Sequence, residues 1–109
     1  MREVVVNTPA KERTFLVGGQ VKGSRPLLLI EDSLHELAML ADTAGMEVLG
    51  QTIQRLQQID PKTYIGSGKV TEVRDQITEL GANVIIFDDE LSPRHQRQLE
   101  QEFGENIKV

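Results

Sequence analysis

The sequence predicts an α/β domain: a single, mainly parallel sheet flanked by about three helices. Three observations carry this. Strand-like and helix-like segments alternate along the chain, which calls for right-handed crossovers between parallel strands. The run Asn83-Val84-Ile85-Ile86-Phe87 is almost wholly apolar, as befits a short strand covered on both faces. Two amphipathic stretches each stop at a glycine, Gly45 and Gly81, where a helix end takes up a left-handed residue.

In chain order, residues 1–13 are polar, contain Pro9, and read as a flexible lead-in; residues 14–109 form the domain. Residues 14–21 (TFLVGGQV) are rich in β-formers and read as the first strand, with Gly18-Gly19 weakening it or marking a bulge. Residues 22–26 form a turn. Leu34, Leu37, Ala38, Ala41 and Ala44 follow helical spacing. Ser33 and Glu36 match a capping box, which puts the helix start at Ser33.

Residues 46–54 read as the second strand, residues 55–63 as a loop around Asp60-Pro61, and Tyr64-Ile65 as a short third strand. Val70, Val73, Ile77 and Leu80 give the second helical stripe. After the apolar run, Ser92-Pro93 opens a third helix, with serine as N-cap and proline in the first turn. Its apolar content is thin, mainly Leu99 and Phe103, and Gly104 ends it. Ile107-Lys108-Val109 reads as the start of another strand, so the chain is expected to be part of a longer protein.

Composition narrows the function classes. The 109 residues hold 39% hydrophobic and 27% charged side chains, an ordinary folded balance. With no cysteine there is neither a disulfide framework nor a thiolate zinc site. The net charge of −5 disfavours wholesale polyanion binding and leaves room for a local basic patch. No apolar run is long enough for a membrane span. His35 and His95 lack metal-ligand spacing, and no nucleophile–base pair is defensible from sequence.

Three segments could carry chemistry. Gly66-Ser67-Gly68-Lys69 resembles the end of a phosphate-binding loop, but Thr63 stands where the first glycine belongs and Val70 where the hydroxyl belongs. A glycine turn at a helix start, with Lys69, still suits an anion or nucleotide phosphate; the plainer reading is a tight turn into the helix. Asp88-Asp89-Glu90 ends the apolar strand, where open α/β sheets bind ligands; the plainer reading is a solvated acidic turn. Arg94 and Arg97 lie on the polar side of the third helix and, with Lys69 and Arg74, are the candidate phosphate contacts for RNA.

Leu40-Ala41-Asp42-Thr43-Ala44-Gly45, then Thr63 through Val70 (TYIGSGKV), then Val84 through Pro93 (VIIFDDELSP), in this order and spacing, resemble the amino-terminal domain of HflX-type GTPases. The resemblance runs over residues 14–109, with Gln98 standing where asparagine is expected. It implies a cytoplasmic GTP-binding protein that associates with the large ribosomal subunit and its rRNA under stress. It also implies that GTP and Mg2+ belong to a downstream G domain, which this region helps dock and restrains. The fragment itself is then not an enzyme and carries no cofactor. Three functions compete: a ribosome-contacting regulatory module, a weak ATP- or purine-nucleotide-binding domain using Gly66–Lys69 with Asp88 and Asp89, and a structural domain that orients the G domain. Self-association of the fragment through the strand edge at residues 107–109 is a further expectation.

Overall fold

The computed structural model describes residues 11–22, 29–104 and 107–109. Its elements are β1 (Arg13–Val21), α1 (Ile30–Thr43), β2 (Glu47–Leu56), α2 (Ser67–Leu80), β3 (Val84–Phe87) and α3 (Pro93–Phe103). The strands form one parallel sheet in the order β2-β1-β3. Lys108 makes a parallel bridge to Val84 on the far side of β3. The expected parallel α/β architecture is therefore present. The apolar 83–87 run supplies β3, which ends the three-strand order rather than lying inside it and has only the Lys108 bridge beyond it among the described residues, although Val84, Ile85 and Phe87 are buried.

The strand order fixes which face each helix covers. The path from β1 to β2 and the path from β2 back to β3 run in opposite directions across the sheet. With right-handed crossovers, α1 and α2 must then lie on opposite faces. Side-chain packing agrees: a Cβ on Gly18 would meet Ile30 and Leu34 of α1, whereas one on Gly50 would meet Phe15 and Leu80 of α2. The larger core lies under α2 and α3. Phe15, Val17, Ile85 and Phe87 from the sheet pack with Val70, Val73 and Ile77 from α2 and Leu99 and Phe103 from α3. Each such side chain contributes roughly 1.5–3 kcal/mol on burial.

Several boundaries differ from the sequence reading. The helix α1 begins at Ile30, not Ser33. Its N-cap is Leu29, and the Ser33 N–H already donates to the Leu29 carbonyl, so the Ser33/Glu36 capping box does not form. Burial of Ile30 against Gly18 favours starting the helix one turn earlier. Arg13, placed in the lead-in by sequence, opens β1, where its N–H donates to the Asn83 side chain. The irregular register of β1 falls between Thr14 and Phe15, not at Gly18-Gly19. β2 continues to Leu56. Tyr64-Ile65 is not a strand: Tyr64 has a left-handed backbone with φ 69° and makes only an isolated bridge to Asp60. Residues 1–10 of the lead-in and 23–26 of the first turn lie outside the described residues.

Other expectations hold. Gly45 and Gly81 follow α1 and α2 with φ of 85° and 75°, conformations that cost glycine little. Ser92 caps α3, accepting the His95 N–H, with Pro93 in the first turn. The thin stripe of Leu99 and Phe103 suffices because both are buried. Among the described residues, no helix is long and apolar enough to cross a membrane.

Candidate functional site

The carboxyl ends of β1 and β3 lie side by side, and from them the chain departs to helices on opposite faces. Open α/β sheets leave a crevice at such a point. The Asp88 N–H donates to the Val17 carbonyl at 2.8 Å, carrying the ladder one residue past β3. The chain then turns through Asp89 and Glu90, with the Asp89 carboxylate accepting the Glu90 N–H.

Tyr64 organises this edge. Its ring is buried, with 3% of the residue exposed, and its hydroxyl donates to the Asp89 carboxylate. The ring stands edge-on to Phe87, with centroids 6.0 Å apart, and to His95 at 5.8 Å. It occupies room that only glycine leaves: a Cβ on Gly19 would lie 2.9 Å from the Tyr64 ring. A left-handed backbone costs a bulky residue on the order of 1–3 kcal/mol, so the ring contacts must hold it in place. Burial, and then the Asp89 carboxylate, push the phenol's pKa well above its ordinary value. Tyr64 is therefore a neutral donor here, not a base.

Around Tyr64 the polar groups are matched. The Asp60 carboxylate accepts the N–H groups of Lys62 and Thr63, which hold its pKa below the ordinary range. The Asp60 carbonyl lies 3.1 Å from His95 Nε2. A carbonyl can only accept, so Nε2 carries the proton. In the neutral imidazole Nδ1 then accepts the Ser92 hydroxyl, 3.0 Å away. The Ser92 oxygen in turn accepts the His95 backbone N–H at 3.1 Å. This serine–histidine contact is a helix cap with its oxygen committed to the backbone. It is not a nucleophile poised for attack.

The sequence-selected residues fall into three places. Gly66 is the N-cap of α2, with no side-chain cap, and its N–H donates to Gln54 Oε1 at 3.0 Å. Ser67 and Gly68 are exposed in the first turn. Lys69 is turned inward, its side chain only 14% exposed, and pairs with Glu72 at 2.9 Å. Val70 is a core residue, and the Thr63 hydroxyl donates to the Ile65 carbonyl. The two positions at which a phosphate loop would need a glycine and a magnesium-binding hydroxyl are thus used for packing and for the turn, and these residues do not fit GTP with Mg2+. Among the described residues, no cluster of three or more His, Asp or Glu could hold a metal, and Lys69 makes no hydrogen bond or ion pair to Asp88 or Asp89.

Arg74 is likewise engaged. Its Nε donates to the Glu102 carbonyl at 3.0 Å and its Nη2 to the Glu102 carboxylate at 3.1 Å, binding α2 to α3. Arg94 and Arg97 differ: both are exposed on α3, three residues apart and so on one face. Among the described residues neither has an ion-pair partner, and Arg97 edges a recess it shares with Glu100 and Gln101. A polar pocket of about 340 Å³ lies between the 60–63 turn and α2, lined by Asp60, Lys62, Thr63, Ser67, Thr71 and Arg74, among others.

The structure thus joins Asp89 to Tyr64 and sets His95 beside the same ring. Sequence reasoning missed Tyr64, His95 and Asp60. The sole usable signal was Asp60-Pro61 four residues ahead of the tyrosine, which marks a turn but not which side chain it buries.

Comparison with known proteins follows the same outline. Residues 31–109 match the family described as GTP-binding GTPase N-terminal. The chain is 39% identical over 100 residues to GTPase HflX of Lacrimispora saccharolytica, covering 92% of this chain and 23% of that protein. It is 40% identical over 93 residues to GTPase HflX of Alkalihalophilus pseudofirmus, covering 85% and 22%. It is 34% identical over 70 residues to GTPase HflX of Escherichia coli, covering 64% and 16%. The chain spans about a fifth of the length of the curated relatives it matches.

Proposed function

The chain belongs to the family of amino-terminal domains of HflX GTPases, and from that premise we propose that it is a regulatory module that docks a cytoplasmic GTP-binding protein on the large ribosomal subunit. On this reading GTP and Mg2+ are handled by a G domain outside these 109 residues, which this module restrains, and the module itself is not catalytic. The observation that carries the reading is the exposed pair Arg94 and Arg97, without ion-pair partners among the described residues. Unpaired guanidinium groups on one helix face suit RNA phosphates. Phosphate contacts are local, so a chain with net charge −5 can make them. Lys69 and Arg74 are demoted to supporting roles because Glu72 and Glu102 already hold them.

The test is co-sedimentation of the purified chain with isolated large ribosomal subunits across a salt series. Saturable binding that weakens steeply with salt supports the reading. Absence of binding at low salt sinks it. One observation favours a second reading, a weak ATP- or purine-nucleotide-binding domain. The first turn of α2 has neither a side-chain cap nor an acidic residue, and it adjoins the polar pocket. Titration calorimetry with ATP and Mg2+ decides it, since heat at millimolar nucleotide is required and silence removes it.

A further inference from the structure

We propose that the 60–66 turn is a two-state latch: docked and strained through Tyr64, or undocked and relaxed, with undocking removing one wall of the polar pocket beside α2. This goes beyond ribosome docking and holds whether or not that reading survives.

The turn is bonded mostly to itself. Asp60 and Tyr64 exchange backbone N–H donations, each at 3.0 Å. The Asp60 carboxylate accepts the Lys62 and Thr63 N–H groups, and the Thr63 hydroxyl donates to the Ile65 carbonyl. Its polar anchors to the rest of the domain among the described residues are few. Tyr64 reaches Asp89, His95 reaches the Asp60 carbonyl, and the Gly66 N–H reaches Gln54. The backbone between these anchors is unfavourable: Tyr64 is the one non-glycine residue with positive φ among those described. Docking of the ring and its hydroxyl therefore opposes the relaxation of the backbone. An element held this way has two discrete arrangements rather than a continuum.

The position gives the latch a consequence. Asp60, Lys62 and Thr63 form the turn's side of the pocket, facing Ser67, Thr71 and Arg74 of α2. Through the Asp60 carbonyl the turn also touches His95, next to Arg94. Undocking would open the pocket and free the N-terminus of α3 from its contact with the turn.

Hydrogen exchange on the isolated chain reads the latch directly. Tyr64→Phe keeps the ring and removes the hydroxyl. A hydrogen bond to a charged group contributes enough that local opening should rise about tenfold or more. Exchange of the Tyr64 and Gly66 amides should accelerate accordingly, while amides of β1 keep their protection. Acceleration of β1 by the same factor would mean the turn opens only with the whole domain, and the latch would be refuted. Unchanged exchange at Tyr64 and Gly66 would refute it as well.

A second measurement keeps the tyrosine. The chain has one tyrosine and no tryptophan, so its emission reports this site alone. Asp89→Asn should raise acrylamide quenching of that emission at unchanged far-ultraviolet circular dichroism. A quenching constant equal to that of the parent chain would count against the proposal.

Discussion

The inward-facing cations of α2 and the outward-facing cations of α3 look alike in the sequence and behave differently in the fold. Lys69 lies along the domain against Glu72, and Arg74 bridges to Glu102 on the neighbouring helix. Arg94 and Arg97 reach solvent with no such partner among the described residues. A positive residue is available to a partner only if the fold has not already used it. Net charge cannot report that: Lys69 is held by Glu72 one turn along the same helix, whereas the engagement of Arg74 is decided by the packing of α2 against α3.

The largest effect should come from breaking the inward side. Leu99→Ala removes a fully buried side chain from between α3 and the sheet and should cost about 2–5 kcal/mol in denaturant unfolding. Arg97→Ala, two residues away on the outer face, should stay within about 0.5 kcal/mol. A cost above about 1 kcal/mol for Arg97→Ala would show that the outer face is engaged, and the contrast would collapse.

The next test addresses function. Reversing both Arg94 and Arg97 to glutamate should weaken large-subunit association at least tenfold, on the order of 1.4 kcal/mol, and flatten the salt slope by about two. Arg74→Ala should cost roughly 0.5–1 kcal/mol of stability, because its ion pair is partly exposed, and leave association unchanged. Equal loss of association in both variants would erase the distinction.

A comparable effect should appear at high pH. The Tyr64 phenol has a raised pKa in the fold, so its contribution is fully present below the unfolded value near 10 and is lost as pH rises beyond it. Stability should fall by up to about 1.4 kcal/mol per pH unit above pH 10. The phenolate absorbance of this single tyrosine should appear together with unfolding. Ionisation in the still-folded chain at pH 10 would mean that Tyr64 is not held as described.

The smallest effect distinguishes two helix starts. Ser92→Ala should cost about 1 kcal/mol, since Ser92 caps α3. Ser33→Ala should change stability by less than about 0.5 kcal/mol, because Ser33 lies inside α1. Reversed magnitudes in thermal unfolding would restore the capping box read from the sequence.

The sequence by itself determined the parallel α/β class, the glycine-terminated helices, the buried 83–87 strand, the Ser92 cap and the failure of Gly66–Val70 as a phosphate loop. All of these rest on local signals: the spacing of apolar residues, the glycine ends of α1 and α2, and a cap three residues from its donor. The start of α1 was misread because tertiary packing of Ile30 against Gly18 outweighed a local capping pattern. The candidate site was half legible. Asp88 and Asp89 were singled out because they end a strand, and the arginines because they lie on a polar helix face; the structure joins Asp89 to Tyr64 and leaves the arginines exposed. Tyr64, His95 and Asp60 were not found, since their pairing joins residues 25 to 35 positions apart across the sheet edge. Only the tertiary structure could decide that a tyrosine beside a turn would adopt a left-handed backbone, bury its ring over Gly19 and bond to Asp89. Those contacts depend on strand order and helix placement, which no short window of sequence encodes.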